Sequence, residues 1–378
     1  MSAPSTDVRR KSMYEEALEQ GISRREFLKI ASAVTLALGL DLKEMPKVVR
    51  AMETKPRIPV IWMDFQSCSG PTESFTRSYQ PTVEKVLFDM ISLEYNGALM
   101  AGSGTAAEKH VEEIVEKYPG QFILAAEGSL PTMPGALAIA GQPRYYEKWR
   151  EIASKAMAVV AVGSCATWGG IPAANPNPTG AKSVIDFVPP GVPWIRIPGC
   201  PPIGEVITNT LAHIAILGKL PEVDELGRPK EFFRHRLHDK CQRRPFFDAG
   251  LYVESFDSEG AREGFCLYKM GCRGPTTYNA CAELRWNGGL SWPIQSGHPC
   301  IGCAAPNFWD EGPFYARVVQ LPGTQTTINP ERVGLGIAAV AALGITAHAA
   351  ASVISRRRLR KSEAEAAAEE AKETAHEG

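Results

Sequence analysis

Ala158-Val-Val-Ala-Val162, followed at once by Gly163-Ser164-Cys165, decides how this chain folds. Five apolar residues without polar alternation make a strand buried on both faces. Such strands belong to parallel sheets covered by helices on each side. The arrangement recurs on either side of this stretch. Ile58 to Asp64 is a short apolar strand leading to Cys68, and Phe122 to Ala126 is a second, ending at Glu127-Gly128. Val192 to Ile197 is a further strand, ending at Pro198-Gly199-Cys200. Between them, Pro81 to Tyr95 has helical spacing through Val83, Val86, Leu87, Met90 and Ile91, and Tyr145 to Ala156 and Pro202 to Leu217 also read as helices. The alternation predicts an α/β fold with a doubly wound parallel sheet. Loops at the carboxyl ends of such strands converge on one crevice, so Cys68, Cys165 and Cys200 are expected to meet there. No G-x-G-x-x-G follows the first strand, which argues against a flavin or nucleotide; the loop there carries cysteine and proline instead.

From about Glu222 the periodic pattern fades. Six of the nine cysteines fall between Cys241 and Cys303, in a segment with little regular structure, where metal clusters could supply the missing cross-links. They form two sets. His238, Cys241, Cys266 and Cys272 offer one imidazole and three thiolates; Cys281, Cys300 and Cys303 offer three thiolates, with Pro293 between them. Three thiolates and an imidazole also suit tetrahedral zinc, so a zinc-stabilised scaffold without a redox role stands as the alternative. The crevice trio makes a third spaced site, and three spaced sites favour a relay of iron–sulfur clusters. An odd number of cysteines fits a disulfide framework poorly. A formal net charge of −1 gives no electrostatic case for nucleic acid.

The two ends carry addresses. Ser23-Arg24-Arg25-Glu26-Phe27-Leu28-Lys29 precedes an apolar run from Ile30 to Leu40, the pattern of a twin-arginine (Tat) export signal, with Val49-Arg50-Ala51 offering a cleavage site before Met52. Val333 to Ile354 carries no Asp, Glu, Lys or Arg and is long enough to span a bilayer. Arg356, Arg357, Arg358, Arg360 and Lys361 follow it and should stay cytoplasmic. The expected organisation is a signal over 1–51, a sheet domain with the first cysteine trio over 52–221 and a cluster domain over 222–320. A linker over 321–332, a transmembrane helix over 333–354 and a cytoplasmic tail over 355–378 complete it.

From Ile58 to Tyr315 the sequence resembles the small subunits of membrane-bound uptake nickel–iron hydrogenases. The residues that carry the resemblance are Gly163-Ser-Cys-Ala-Thr-Trp-Gly-Gly170, Pro198-Gly-Cys-Pro-Pro202, His238-Asp-Lys-Cys241, Cys266-Leu-Tyr-Lys-Met-Gly-Cys-Arg-Gly-Pro275, Gly297-His-Pro-Cys-Ile-Gly-Cys303 and Asn307-Phe-Trp-Asp310. The resemblance implies a flavodoxin-like domain followed by an irregular cluster domain, with proximal, medial and distal iron–sulfur clusters in line. It implies a distal 4Fe-4S cluster on His238, Cys241, Cys266 and Cys272, and a medial 3Fe-4S cluster on Cys281, Cys300 and Cys303, where Pro293 takes the place of a fourth ligand. The proximal site departs from the family's C-x-x-C: the segment is Cys68-Ser69-Gly70-Pro71. Cys68, Cys165 and Cys200 then supply three ligands. The expectation is a 3Fe-4S cluster, or a 4Fe-4S cluster with Asp64 or Glu73 as a non-cysteine ligand. The implied partners are the catalytic large subunit, a membrane cytochrome b or other quinone-reducing protein, and a second heterodimer. The implied role is to carry electrons from hydrogen oxidation on the exported face of the cell membrane.

Overall fold

A computed structural model describes residues 11–38, 40–139, 145–311, 314–315, 319–320, 327–328 and 330–374. Five parallel strands form the central sheet: β1 (Ile58–Asp64), β2 (Ile91–Asn96), β3 (Ile123–Glu127), β4 (Ala158–Val162) and β5 (Trp194–Ile197), in the order β2-β1-β3-β4-β5. That is the strand order of flavodoxin-like sheets, with a switch point between β1 and β3 where the chain reverses its direction of winding. Alternate residues of β1 supply two cores. Val60 and Trp62 enter one, and Ile61 and Met63 enter the other.

The expected helix over Pro81 to Tyr95 is only half correct. Val83–Lys85 is helical and Val86–Met90 is a π turn, but Ile91–Asn96 is the edge strand β2. Val83, Val86 and Met90 have helical spacing, but Ile91 opens a strand with β-branched and aromatic residues. Pairing with β1 along Ile58↔Ile91 to Trp62↔Asn96 outweighs the local helical pattern.

Helices α1 (Met13–Glu19), α2 (Arg24–Ala37) and α3 (Met45–Thr54) precede the sheet. Helices α4 (Gly70–Thr76), α5 (Gly104–Lys117), α6 (Tyr145–Ser154) and α7 (Gly204–Leu217) alternate with or follow its strands. The first two helices start with capping boxes, Ser12 with Glu15 and Ser23 with Glu26, each satisfying free backbone donors of the first turn. The apolar faces of α1 to α3 do not trail into solvent. Met13, Phe27, Ala31, Val34, Leu38, Val48 and Met52 are buried in the same core as Val60 and Trp62. Glu16 pairs with Arg57 at 2.5 Å, and the Met13 amide donates to the Lys55 carbonyl at 3.0 Å. Arg24 and Arg25 remain exposed on α2, whereas the peptide bond before Met52 lies inside α3 with Met52 only 1% exposed.

Behind the sheet the chain becomes irregular, with short turns of helix, yet it does not build a separate core. Phe233, Leu237, Val253, Leu267, Cys281, Trp292 and Cys300 join the core that holds Val60 and the buried face of α7. Met1–Gln320 is one compact unit and Leu321–Gly378 another. The second unit holds the helix Pro330–Thr374. Its stretch Arg332–Ser362 is long and apolar enough to cross a membrane, with a mean hydropathy of 1.9 in its most apolar window and none of that window buried. Most of the expected linker over 321–332 lies outside the described residues.

The packing of α2 has a measurable consequence. In the full-length chain, Ala31→Glu places an unpaired carboxylate in a fully buried position. It is expected to raise the rate of tryptic cleavage after Arg24, Arg25 or Lys29 by at least roughly tenfold, because an unpaired buried charge costs several kcal/mol. Near-ultraviolet circular dichroism of the body should stay unchanged. Equal cleavage of both proteins would show that α2 is not held.

Candidate metal centres

The crevice at the switch point receives the loops after β1, β3, β4 and β5. Cys68, Cys165 and Cys200 line one hollow there with Pro71, Gly128 and Gly199; it holds about 270 Å3 of atom-free space, part of it open to solvent. Close approaches of backbone fix its walls. Gly170 has φ +62°, and a Cβ on it would lie 2.5 Å from the Cys165 sulfur. Gly163, at φ +91°, would meet the Pro71 ring at 2.8 Å. Any larger residue would displace a thiol or the proline. Pro71 is buried in the first turn of α4 and brings no donor atom.

The two carboxylates nearest in sequence part company. Glu73 is exposed on α4 and pairs with Arg77 at 2.6 Å. Asp64, at the end of β1, has both carboxylate oxygens buried without a conventional hydrogen-bond donor. The group it meets is Glu127 at the end of β3, a residue that reads in the sequence only as a strand terminus. Glu127 is fully buried and accepts from the Thr72 amide at 2.7 Å and from the Ser67 hydroxyl at 3.1 Å. Burial, then the shared hydrogen bond and negative charge of Asp64, push the Glu127 carboxyl well above the usual carboxylate range. Glu127 therefore keeps its proton to higher pH than an ordinary carboxyl. Asp64 and Glu127 both end strands in the sequence, but only the register of β1 against β3 brings them together.

His238, Cys241, Cys266 and Cys272 line a second hollow of about 310 Å3 of atom-free space, part of it open to solvent. Burial, helped by the nearby Arg244 charge, lowers the His238 pKa, so the imidazole is neutral and free to ligate. Phe247 stacks edge-on against its ring at 4.6 Å between centroids. The Arg243 amide donates to the Cys241 sulfur at 3.4 Å.

Cys281, Cys300 and Cys303 form the third group. Their thiols influence one another, and burial pushes Cys281 up to about 12 and Cys300 well above its ordinary value. Thiols so placed stay protonated unless a metal displaces the proton. The Gly302 amide donates to the Cys300 sulfur at 3.3 Å. The Trp286 indole N–H is buried without a conventional acceptor and bears on the Cys281 sulfur, a donor that a metal-bound thiolate would satisfy. Among the described residues, no three or more His, Cys, Asp or Glu side chains are arranged to hold a single metal ion. Thiolates with one neutral imidazole are soft donors that suit iron–sulfur groups, as they also suit zinc.

Comparison with known proteins agrees with this chemistry. Residues 68–214 match the family described as NADH ubiquinone oxidoreductase, 20 Kd subunit. Residues 233–315 match the family of the C-terminal part of NiFe/NiFeSe hydrogenase small subunits. The chain is 48% identical over 349 residues to the uptake hydrogenase small subunit of Azotobacter vinelandii, covering 92% of this chain and 97% of that one. It is 47% identical to the hydrogenase-1 small chain of Escherichia coli, over 92% of this chain and 93% of that one. Among solved structures, the [NiFeSe]-hydrogenase of Dm. baculatum aligns with a TM-score of 0.63 and 37% identity, covering 69% of this chain and 99% of that one. The actinobacterial-type NiFe-hydrogenase of Ralstonia eutropha aligns with a TM-score of 0.62 and 26% identity, covering 76% and 91%.

The proton held on Glu127 makes stability depend on pH. The native protein keeps a proton on Glu127 that the unfolded chain loses above its ordinary value of 4.5, so stability falls as pH rises through that window. Glu127→Gln cannot lose that proton. Its melting temperature should fall less between pH 5 and pH 8, the upper limit being the raised value of about 8. Identical slopes for the two proteins would show that Glu127 does not hold its proton through this range.

Proposed function

This chain belongs to the family of nickel–iron hydrogenase small subunits, and from that premise we propose that it conducts electrons through three iron–sulfur clusters to a membrane acceptor. The family assignment carries the coarser statement directly: it is the electron-transfer subunit of a hydrogenase and pairs with a nickel–iron large subunit. The finer reading assigns Cys68, Cys165 and Cys200 to a proximal cluster, Cys281, Cys300 and Cys303 to a medial 3Fe-4S cluster, and His238, Cys241, Cys266 and Cys272 to a distal 4Fe-4S cluster. The observation that carries it is that Cys68, Cys165 and Cys200 line one hollow, that His238, Cys241, Cys266 and Cys272 line another, and that the Cys281, Cys300 and Cys303 thiols act on one another. The clusters supply one-electron redox chemistry. The chain's residues fix the ligands, exclude water from the medial thiols and keep His238 neutral.

At the proximal site, Pro71 fills a corner without offering a donor, and Glu73 is engaged with Arg77. Both features favour a 3Fe-4S cluster, with Asp64 the remaining carboxylate for a 4Fe-4S alternative. The apolar helix Arg332–Ser362 is consistent with a membrane anchor. Together with the twin-arginine segment, it supports clusters on the exported face and an acceptor, a cytochrome b or other quinone-reducing protein, in the membrane. The proposed assembly pairs two such heterodimers. The family assignment favours this reading over the zinc-scaffold alternative.

Metal analysis tests the reading. Brown protein with about ten irons per chain, and paramagnetic resonance of a 3Fe-4S cluster in the oxidised state, are expected from three clusters of these types. Colourless protein containing zinc would overturn it. Pro71→Cys should supply a fourth thiolate, convert the proximal cluster to a four-iron form and lower its potential through the added negative charge, read by a redox titration of its resonance signal. An unchanged signal and potential would dissociate Pro71 from the cluster type.

A further inference from the structure

The three thiol groups are joined by hydrogen bonds between residues adjacent to, or belonging to, their cysteines. At the medial–distal junction the links belong to the main chain and a ligand sulfur. The Cys300 amide donates to the Cys272 sulfur at 3.4 Å, and the Arg273 amide donates to the Cys300 carbonyl at 2.8 Å. At the proximal–medial junction one link runs through a side chain. Ser164, next to Cys165, is 1% exposed, and its hydroxyl donates to the Cys303 carbonyl. The same oxygen accepts from the Gly199 amide at 3.0 Å, next to Cys200, and the Ser164 amide returns a bond to the Gly199 carbonyl at 2.8 Å. The hydroxyl of the residue next to Cys165 therefore touches the backbone beside Cys200 and the carbonyl of Cys303.

Resting on the cluster reading above, we infer that the Ser164 hydroxyl is an electronic bridge between the proximal and medial sites, beside the Cys200 amide's contact with the Cys303 sulfur. Ser164 is not a ligand; it acts through the cysteines it connects. Tunnelling decays less steeply along covalent and hydrogen bonds than across a van der Waals gap. The path Cys165–Ser164 Oγ–Cys303 offers bonded contact from one ligand to the next. One electron crosses it at a time, oxidising the cluster at the first site by one electron and reducing that at the second by the same electron. No bond is made or broken and no proton is consumed. The electron comes from hydrogen oxidation in the large subunit and leaves through the distal site. Loss of the hydroxyl removes this crossing and leaves the contact of the Cys200 amide with the Cys303 sulfur as the parallel one. It also leaves the Gly199 amide and the Cys303 carbonyl without this partner, so a structural effect has to be separated from an electronic one.

Ser164→Ala and Ser164→Thr in the assembled heterodimer make that separation. Iron content, each cluster's own resonance spectrum and the dipolar splitting that reports distance are expected to match the unsubstituted protein in both variants. In Ser164→Ala, the exchange part of the proximal–medial spin coupling should fall. Electron equilibration between the two clusters after laser-triggered reduction should slow several-fold. Ser164→Thr, which keeps the hydroxyl, should restore both. An alanine variant with unchanged exchange coupling and equilibration rate would overturn the bridge while leaving the three-cluster reading intact. So would losses that track iron content or a changed dipolar splitting, since these mark a structural role. An unsubstituted protein without a medial signal would overturn the cluster reading and the bridge together.

Discussion

A thiol taken out of water keeps its proton, because burial penalises the thiolate more than the neutral sulfur. That penalty sets the terms for the body of this protein. Cys281, Cys300, Cys272 and Cys165 are all pushed towards the protonated form by burial. A metal that takes the place of the proton would let these thiols ligate as thiolates despite their burial. The surrounding polypeptide supplies the remainder of the stabilisation through backbone amides aimed at sulfur, as at Cys241, Cys272 and Cys300. Amides can be aimed this way only where the backbone is irregular. Helix and sheet would already have committed their N–H groups. The scarcity of regular structure between Cys241 and Cys303 is therefore a requirement of the chemistry and not a weakness of the fold.

An irregular segment has little apolar surface of its own to bury, and the sheet answers that need. Phe233, Leu237, Leu267 and Trp292 pack into the core that Val60, Trp62 and α7 begin. Sharing a core fixes the medial and distal groups relative to the crevice. The Trp168 indole reinforces this by donating to the Ala304 carbonyl at 3.3 Å, beside Cys303. A relay needs such fixity, because electron transfer rates depend steeply on separation.

The strands on which the crevice depends were legible in the sequence. Ile58–Asp64 and Ala158–Val162 are apolar runs whose ends are marked by glycine or by the nearby cysteine, and two-sided burial leaves no competing pattern. The edge strand β2 was not legible, because Leu93 and Glu94 lie on a half-covered surface and the preceding residues carry a helical period. Helix α5 was missed: only Ala107, Val111, Ile114 and Val115 of its fourteen residues are buried, so its apolar stripe is narrow. The cysteine groups were readable from motif and spacing. The Asp64–Glu127 pair was not, since its members are far apart in sequence and meet only when β1 and β3 align Asp64 with Glu127. Ser164 stands within a legible motif, but its two-sided contact depends on where the irregular segment returns to the sheet.

The two ends show why apolar content alone does not fix an address. Helix α2 and the helix Pro330–Thr374 both contain apolar stretches, but their residues are spent differently. On α2 the apolar positions Phe27, Ala31, Val34 and Leu38 recur at three- and four-residue intervals, which makes one stripe, and that stripe is covered by the body. On the C-terminal helix, Leu335, Ile337, Val340, Leu343 and Ile345 are each exposed. Their spacing carries them around the helix instead of along one side. A stripe can be satisfied by a single protein surface, whereas apolar residues all round call for an apolar solvent on every side. The hydrocarbon core of a bilayer is such a solvent, and the arginine cluster that follows, Arg356 to Arg360, is suited to its polar boundary.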